Sequence, residues 1–238
     1  MSIASNSAAT TERERILEEY AKRGREVSPD LYSPWNSAEL LAISNRRRAA
    51  VELLGKAGFK VGNLGSCLEV GYGTRGWLPE LIGWGVPASQ IHGMELDAKR
   101  AAVAQRLLPG ADLRVGDATE LPWASNTFNL VIVSTVFTSV LDNEVRSMLA
   151  GEIVRVLAQG GALLWYDFST NNPKNQNVRS VTKKELKQLF PILVGPIKSV
   201  TLAPPLARLV APKSWLLATL LESLPVFRTH LLAVLIKK

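Results

Sequence analysis

Residues Cys67–Pro79 read CLEVGYGTRGWLP. A short apolar run with one acid in it, Cys67–Val70, leads into a turn with glycines at 71, 73 and 76. Such a run, closed by glycine, reads as a strand buried on both faces. Glycines at its end open backbone conformations denied to other residues and let the chain approach a ligand where a Cβ would collide. In an open parallel sheet that turn lies at the carboxyl end of a strand, where ligands bind. The spacing Gly71-x-Gly73-x-x-Gly76 formally fits the dinucleotide fingerprint. Glu69 argues against a pyrophosphate, because a carboxylate just before the turn repels phosphate and attracts an ammonium or a sulfonium. The mid-chain position of the motif and Pro79, early in the next helix, point the same way.

Outward from this turn the pattern alternates. Strands are expected at Cys67–Val70, Gln90–Met94, Asp112–Val115, Phe128–Ser134, Gly161–Asp167, Ile197–Leu202 and His230–Lys237. Helices are expected at Gly76–Gly83, Ala98–Leu107, Asp142–Leu157 and Thr182–Phe190. Alternation of this kind predicts a mostly parallel α/β sheet covered on both faces. Residues 1–60 read as an N-terminal helical cover. Within it 1–10 are small and polar and expected to be disordered. Thr11-x-x-Glu14 is a capping box opening a helix that Gly24 should stop. Asn36, followed by Glu39, opens a second helix to about Lys56, with Arg46–Arg48 as a solvated charge run. Residues 61–238 form the main domain, with 203–229 as a helical insertion.

Composition narrows the classes. The lone cysteine, Cys67, excludes an internal disulfide and a cysteine-cluster metal site, and two histidines are too few for a histidine-rich one. The start lacks a signal-peptide pattern, and no apolar run reaches about 18 residues. A cytoplasmic protein is expected. The net charge of +7 is uneven: residues 151–238 hold 12 Lys/Arg against 4 Asp/Glu. A basic face of this kind suits an anionic substrate, a membrane surface, a nucleic acid or simply solvent.

The stretch LEVGYGTRGWL resembles motif I of the class I S-adenosylmethionine-dependent methyltransferases, in their small-molecule branch. Glu69, Gly71 and Gly73 match it, with Tyr72 between them; the third family glycine falls on Arg75, and Gly76 comes one place late. The resemblance continues in order. IHGMELD resembles the second-strand motif, which implies Glu95 as the acceptor of the ribose hydroxyls, with Leu96 beside it and Asp97 as the second candidate. VGDATELPWASNTFNLV implies Asp117 and Ala118 at the adenine; Ser125 and Asn129 depart from the pattern. Ser134 and Thr135 fall where the family lines the sulfonium side. RVLAQGGALLWYDF resembles the turn before the fifth strand, with Gln159 in place of its proline. The resemblance implies a doubly wound, seven-stranded Rossmann-like sheet, an antiparallel last strand, and N-terminal helices over the cofactor cleft. It implies S-adenosyl-L-methionine as cofactor and S-adenosyl-L-homocysteine as product.

Methyl transfer asks the protein mainly to align the acceptor with the methyl carbon, with a general base where the acceptor is a hydroxyl. Tyr166 and Asp167 end the fifth strand, and alternation turns only one of them to the site. Asp167 is the choice for a base, Tyr166 the other catalytic candidate. The polar loop Ser169–Arg179 offers Asn172 and Arg179 to a substrate, and His230 opens the last strand. The insertion carries leucines at 216, 217, 220, 221 and 224, spaced as one helical face. That face reads either as core or subunit contact in a monomer or homodimer, or as a peripheral membrane or lipid-substrate contact. Arg75 is expected to point away from the cofactor, since a cation beside a buried sulfonium is unfavourable. These features predict a methyltransferase of a small acceptor: a glycan precursor, a secondary metabolite or a lipid-like hydroxyl or carbon. Two other classes compete. A nucleic-acid enzyme would use the basic C-terminal part, although no Asn-Pro-Pro-Tyr motif follows Phe128–Ser134 and DNA is not expected as a partner. A non-catalytic cofactor-binding regulator would have Arg75 as its support.

Overall fold

The computed structural model describes residues 3–60, 62, 64–172 and 175–238, with side chains from residue 8 onward apart from that of Pro29. Pro173, in the candidate substrate loop, lies outside the described residues. The sheet has the order β3-β2-β1-β4-β5-β8-β6, with β7 also on β8. Its strands are β1 (Cys67–Val70), β2 (Ile91–Glu95), β3 (Asp112–Val115), β4 (Phe128–Ser134), β5 (Leu157–Phe168), β6 (Leu193–Val194), β7 (Ile197–Leu202) and β8 (Arg228–Lys237). β1 to β5 are parallel to their neighbours; β8 is antiparallel to β5, and β6 and β7 are antiparallel to β8. β6 and β7 lie along the same side of β8, Val194 opposite Ile236 and Ile197 opposite Ala233. They are one edge position broken at Gly195, where a Cβ would meet the Val234 carbonyl oxygen at 2.0 Å. The seven expected strands are thus present, the sixth as β7 with its expected bounds, and β6 is a short addition on the same edge.

Period-two alternation divides the strands between two cores. Val131, Val133, Leu163, Trp165 and Leu231 face α5 (Asn143–Val156) and α6 (Lys183–Leu189). Leu130, Ile132, Leu164, Tyr166 and Leu232 face α2 (Ser37–Lys56), α3 (Leu78–Gly83) and α4 (Ala98–Leu107). Burial on both faces is why β4 and β5 read as unbroken apolar runs. Helix starts follow side-chain caps: Asn36 Oδ1 accepts from the Ala38 and Glu39 amides, and Asp97, Asp142 and Thr182 cap α4, α5 and α6.

The N-terminal cover differs from expectation. α1 runs Ile3–Glu26, so 3–10 are helical rather than disordered, and Gly24 does not stop the helix. Ala8 and Ala9 pack on the α5-side core, and alanine is the strongest helix former. Met1 and Ser2 lie outside the described residues. The two helices also do not form one cover. Ala9 and Ile16 of α1 join the α5-side core, whereas Ala50, Leu53 and Leu54 of α2 join the opposite one.

Within the insertion, α7 (Pro204–Val210) and α8 (Trp215–Ser223) follow β7. Ala207, Ala211 and Ala218 pack on Ala38 and Leu41 of α2 and on Leu202. The small residues bring the hairpin close to α2, and most of the leucines are left outside. The expectation of a leucine face packed into the core is thereby corrected.

Candidate active site

A cavity of about 100 Å3 lies at the carboxyl ends of β1, β2, β3 and β4, roofed by α1. The glycine turn forms one wall. Gly71 takes φ +71° and donates its N–H to the Met94 carbonyl at 2.8 Å; a Cβ on it would stand 2.5 Å from Val136 Cγ2. Gly73, at φ +59°, donates to Glu95 Oε2 at 2.7 Å. Glu95 Oε1 accepts from the Asp97 amide at 3.0 Å. Glu95 thus ties the β1 turn to the β2 turn while lining the cavity. Asp97 caps α4 through the Lys99 and Arg100 amides and does not line the cavity. Leu96, Ala118 and Ser134 line it, as does Asp117, whose Oδ1 accepts from Thr119 N and Oγ1.

Glu69 is brought to the turn but not to the cavity. Both its oxygens accept from the Trp77 amide, at 2.9 and 2.8 Å, and its side chain is fully buried. Burial pushes its carboxyl up to about 8, against the opposing pull of the Trp77 N–H and the Arg46 charge. A Cβ on Gly76, at φ +47°, would stand 2.2 Å from Glu69 Oε1. This explains the displaced glycine: the residue pressed against the carboxylate is 76, while Arg75 is exposed and outside the cavity lining. Tyr72 also turns away. Its hydroxyl donates to the Arg114 carbonyl at 3.1 Å and its ring packs where a Cβ on Gly93 would be.

The two candidates at the end of β5 are not brought into the cavity. Asp167 is fully buried on the α5 side; its carboxylate accepts from Thr138 N at 3.1 Å, Thr138 Oγ1 at 2.5 Å and Phe168 N at 2.9 Å. Burial raises it to about 6 against those bonds and Arg146. It anchors a loop. Tyr166 faces the α2 side, hydrogen-bonded to Thr201 Oγ1 at 3.0 Å and stacked on His230 at 4.9 Å. Burial pushes the Tyr166 hydroxyl up to about 12, and burial and then Arg46 push the His230 imidazole down to about 3. Arg46 lies over the Trp77 and Tyr166 rings, 5.3 and 5.5 Å from their centroids, so it is no purely solvated charge. Arg179 is likewise occupied: Nη1 donates to the Leu141 carbonyl and Nη2 to Glu185 at 2.9 Å. Asn172 is exposed and its carbonyl accepts from Asn175 N.

The resemblance implied a helical roof, and the structure forms it from α1 residues that the sequence did not single out. Ala9, Glu12, Arg13, Ile16 and Tyr20 of α1 line the cavity, and Arg100 lies over the Tyr20 ring at 4.5 Å. Glu12 pins the helix by accepting from the Leu141 amide, and Arg15 bonds both Glu12 and the Ser139 carbonyl. Burial pushes Glu12 up, but Arg15 and the Leu141 amide outweigh it and hold the carboxyl below its ordinary value. Thr135, at φ +55°, bends the chain after β4 and donates its N–H to the Tyr166 carbonyl at 2.8 Å. An open groove of about 740 Å3 between α5 and α6 is larger, but it touches none of these strand ends.

Residues 68–165 match a family model described as a methyltransferase domain. A demethylmenaquinone methyltransferase of Mycolicibacterium vanbaalenii is 33% identical over 135 residues, covering 56% of this chain and 54% of that protein. The chain thus spans about half the length of that curated relative. Among solved structures, geranyl diphosphate C-methyltransferase of Streptomyces coelicolor, in complex with Mg2+, geranyl diphosphate and S-adenosyl-L-homocysteine, superposes with a TM-score of 0.59 at 15% identity, over 81% of this chain and 77% of that one. The [4+2]-cyclase SpnF superposes with a TM-score of 0.57 at 16% identity over 80% of each. Residues 68–165 therefore carry a methyltransferase domain, and the likeness to the solved structures is one of fold.

Proposed function

We propose that the protein transfers the methyl group of S-adenosyl-L-methionine to a small acceptor with an already nucleophilic centre, such as the electron-rich ring carbon of a hydroquinone-like lipid. The carrying observation is the set of groups gathered at one sheet edge: Gly71, Glu95 and Asp117 around a single cavity, with Gly73 behind them donating to Glu95. The donor set fits the cofactor. Each Glu95 oxygen accepts one backbone N–H and keeps capacity for a ribose hydroxyl. Among the described residues Asp117 Oδ2 accepts no hydrogen bond, and it suits the adenine amino group. A Cβ on Gly71 would strike Val136, which keeps the turn at glycine beside the cavity. When bound, the cofactor supplies an electrophilic methyl on a sulfonium.

The protein's own residues then bind and align. Ser134 and Thr135 close the cavity on the β4 side, and α1 covers it against water. The enclosed volume is below the ~300–1,000 Å3 of ligand pockets, so α1 has to swing out to admit a nucleoside. Asp167 and Tyr166 are turned to hydrogen bonds within the fold, which favours an acceptor that needs no protein base. The matched relatives named as demethylmenaquinone methyltransferases support a quinone-like acceptor. The nucleic-acid reading gains nothing here: Arg155, Arg179 and Lys198 pair with Glu152, Glu185 and Glu52, and Lys237 donates three hydrogen bonds inside the fold. Nor does Arg75 support a non-catalytic regulator, because it is exposed beside the cavity rather than in it.

The test is calorimetric titration with S-adenosyl-L-homocysteine, followed by an acceptor screen with methyl-labelled cofactor that includes reduced naphthoquinones. Binding of the homocysteine compound and label in a quinol is expected. Binding of NAD with no response to the sulfur compounds would overturn the assignment.

A further inference from the structure

The insertion reverses the usual polarity of a packed helix. α8 turns Ala218 and Glu222 inward. Glu222 accepts from Thr201 N at 3.1 Å and from Asn45 Nδ2, which fastens the hairpin to β7 and α2. Outward stand Leu216, 72% exposed, and Leu220, 56% exposed, with Trp215, Leu217 and Leu224 beside them and Val226, 82% exposed, just beyond. Single exposed leucines are ordinary, but a contiguous apolar patch marks a contact surface.

Charge selects the occupant. Glu222 is the one acid of 203–229, and it is buried. Arg208 and Lys213 are exposed, and Arg228 is held at the base of the hairpin by the Glu222 and Ser199 carbonyls. The hairpin's own outer face is therefore apolar and cationic, with Glu39 of α2 as a neighbouring carboxylate that feels the Arg208 charge. A twofold contact with a second copy would lay this patch on itself and bring like charges together. An anionic lipid surface offers both an apolar layer and counter-charges. Position agrees. β7 and β5 are both antiparallel to β8, so β7 runs the way β5 does and ends, at Leu202, on the carboxyl edge that holds the cavity. No helix among the described residues is long and apolar enough to cross a membrane.

We propose that α7 and α8 dock the protein on the anionic surface of a lipid bilayer. The leucines and Trp215 enter the acyl boundary, and Arg208 and Lys213 meet the headgroups. The carboxyl edge is thereby held near the lipid. Docking does not depend on methyl transfer; only the delivery of a lipid-dissolved acceptor rests on the proposed function.

The experiment is flotation of the full chain with vesicles of phosphatidylcholine alone or mixed with phosphatidylglycerol. The protein should float with the mixed vesicles, and less so as salt shortens the range of the attraction. Leu216→Asp and Leu220→Asp, both at exposed positions, should each lower partitioning about tenfold while melting temperature and homocysteine-compound binding hold. Arg208→Glu with Lys213→Glu leaves the leucines intact and should abolish the preference for the anionic lipid. This charge variant decides the matter if an aspartate variant misfolds. Absence of flotation, flotation indifferent to every substitution, or a dimer in sedimentation velocity that Leu216→Asp dissociates would overturn the docking. Flotation without cofactor binding would overturn the methyltransferase reading instead and leave the docking standing.

Discussion

Replacing Gly76 by alanine puts the reading of the glycine turn at risk. At φ +47° the new residue is held in the left-handed region, which costs an L-residue about 1–2 kcal/mol. Its Cβ would stand 2.2 Å from Glu69 Oε1 and 2.6 Å from Cδ, too close for either group to stay. Moving the carboxylate strips the Trp77 amide of its acceptor, and an unsatisfied buried N–H costs about 1–3 kcal/mol more. The expected loss is about 2–5 kcal/mol, a large share of the ~5–15 kcal/mol that holds a domain folded. At about 2–4 °C per kcal/mol the melting temperature should fall by roughly 5–20 °C. Arg75→Gly, at an exposed position, should change stability by less than about 1 kcal/mol and leave cofactor affinity nearly unaltered. The double variant restores the family spacing on paper. If the argument holds, it melts with Gly76→Ala and not with the parent. Differential scanning fluorimetry and urea unfolding measure all three. A Gly76→Ala protein melting with the parent, or a double variant that recovers, would refute the reasoning.

Glu95→Ala should weaken binding of S-adenosyl-L-homocysteine by about 1.5–3 kcal/mol by calorimetry, because charged-acceptor hydrogen bonds are lost. Asp97→Ala should mainly loosen the α4 cap, by about 1 kcal/mol of stability; the reverse ranking of affinities would move the ribose role to Asp97. Two buried acids set a pH dependence. Their folded-state values, about 8 for Glu69 and about 6 for Asp167, lie above the ordinary 4.5 and 3.8. The stability they contribute is therefore complete at acid pH and is lost upward, for Asp167 between about 4 and 6 and for Glu69 between 4.5 and about 8. Melting temperatures should diverge between the parent and Glu69→Gln from about pH 4.5 up to about 8; parallel curves would count against a protonated Glu69. Glu12→Ala should release α1, seen as faster amide exchange over 8–20 and at Leu141 and as faster cofactor association in stopped flow. Unchanged exchange and unchanged association would show that Glu12 does not hold the roof.

Much of the sheet was legible because its strands are buried on both faces and its helices begin at side-chain caps. Phe128–Ser134 holds the unbroken apolar run Leu130–Val133, and Asn36, Asp97, Asp142 and Thr182 announce the helices that follow them. The ring of candidates at the carboxyl edge was legible by position but not by direction. Glu69 and Glu95 both carry an acid at a strand end, yet one folds back onto the Trp77 amide and the other lines the cavity. Such a choice depends on the turn's backbone, which no local pattern encodes. Asp167 and Tyr166 alternate as expected, but each side found its partners within the fold, Thr138 for one and Thr201 for the other. α1 was misread because SNSAATT looks like a polar tail, while its helicity rests on long-range packing and on Glu12 reaching residues 141 and 142. In the insertion, leucine spacing revealed a helix, but Leu221 packs inward on the α2-side cluster and Leu224 follows the last turn. Which way the face turned was decided by three alanines and Glu222, whose partners lie far away in sequence.

The split of the N-terminal helices has a thermodynamic corollary. α1 meets the fold on the α5 side, and the α7–α8 hairpin meets it through α2 on the other, with the sheet between them. The buried clusters to which the two surfaces belong share no residue. Changes at sites so separated usually sum to within about 0.3–0.5 kcal/mol. Cofactor entry beneath α1 and surface attachment through the hairpin are then separately adjustable properties, and natural variation can alter one without renegotiating the other.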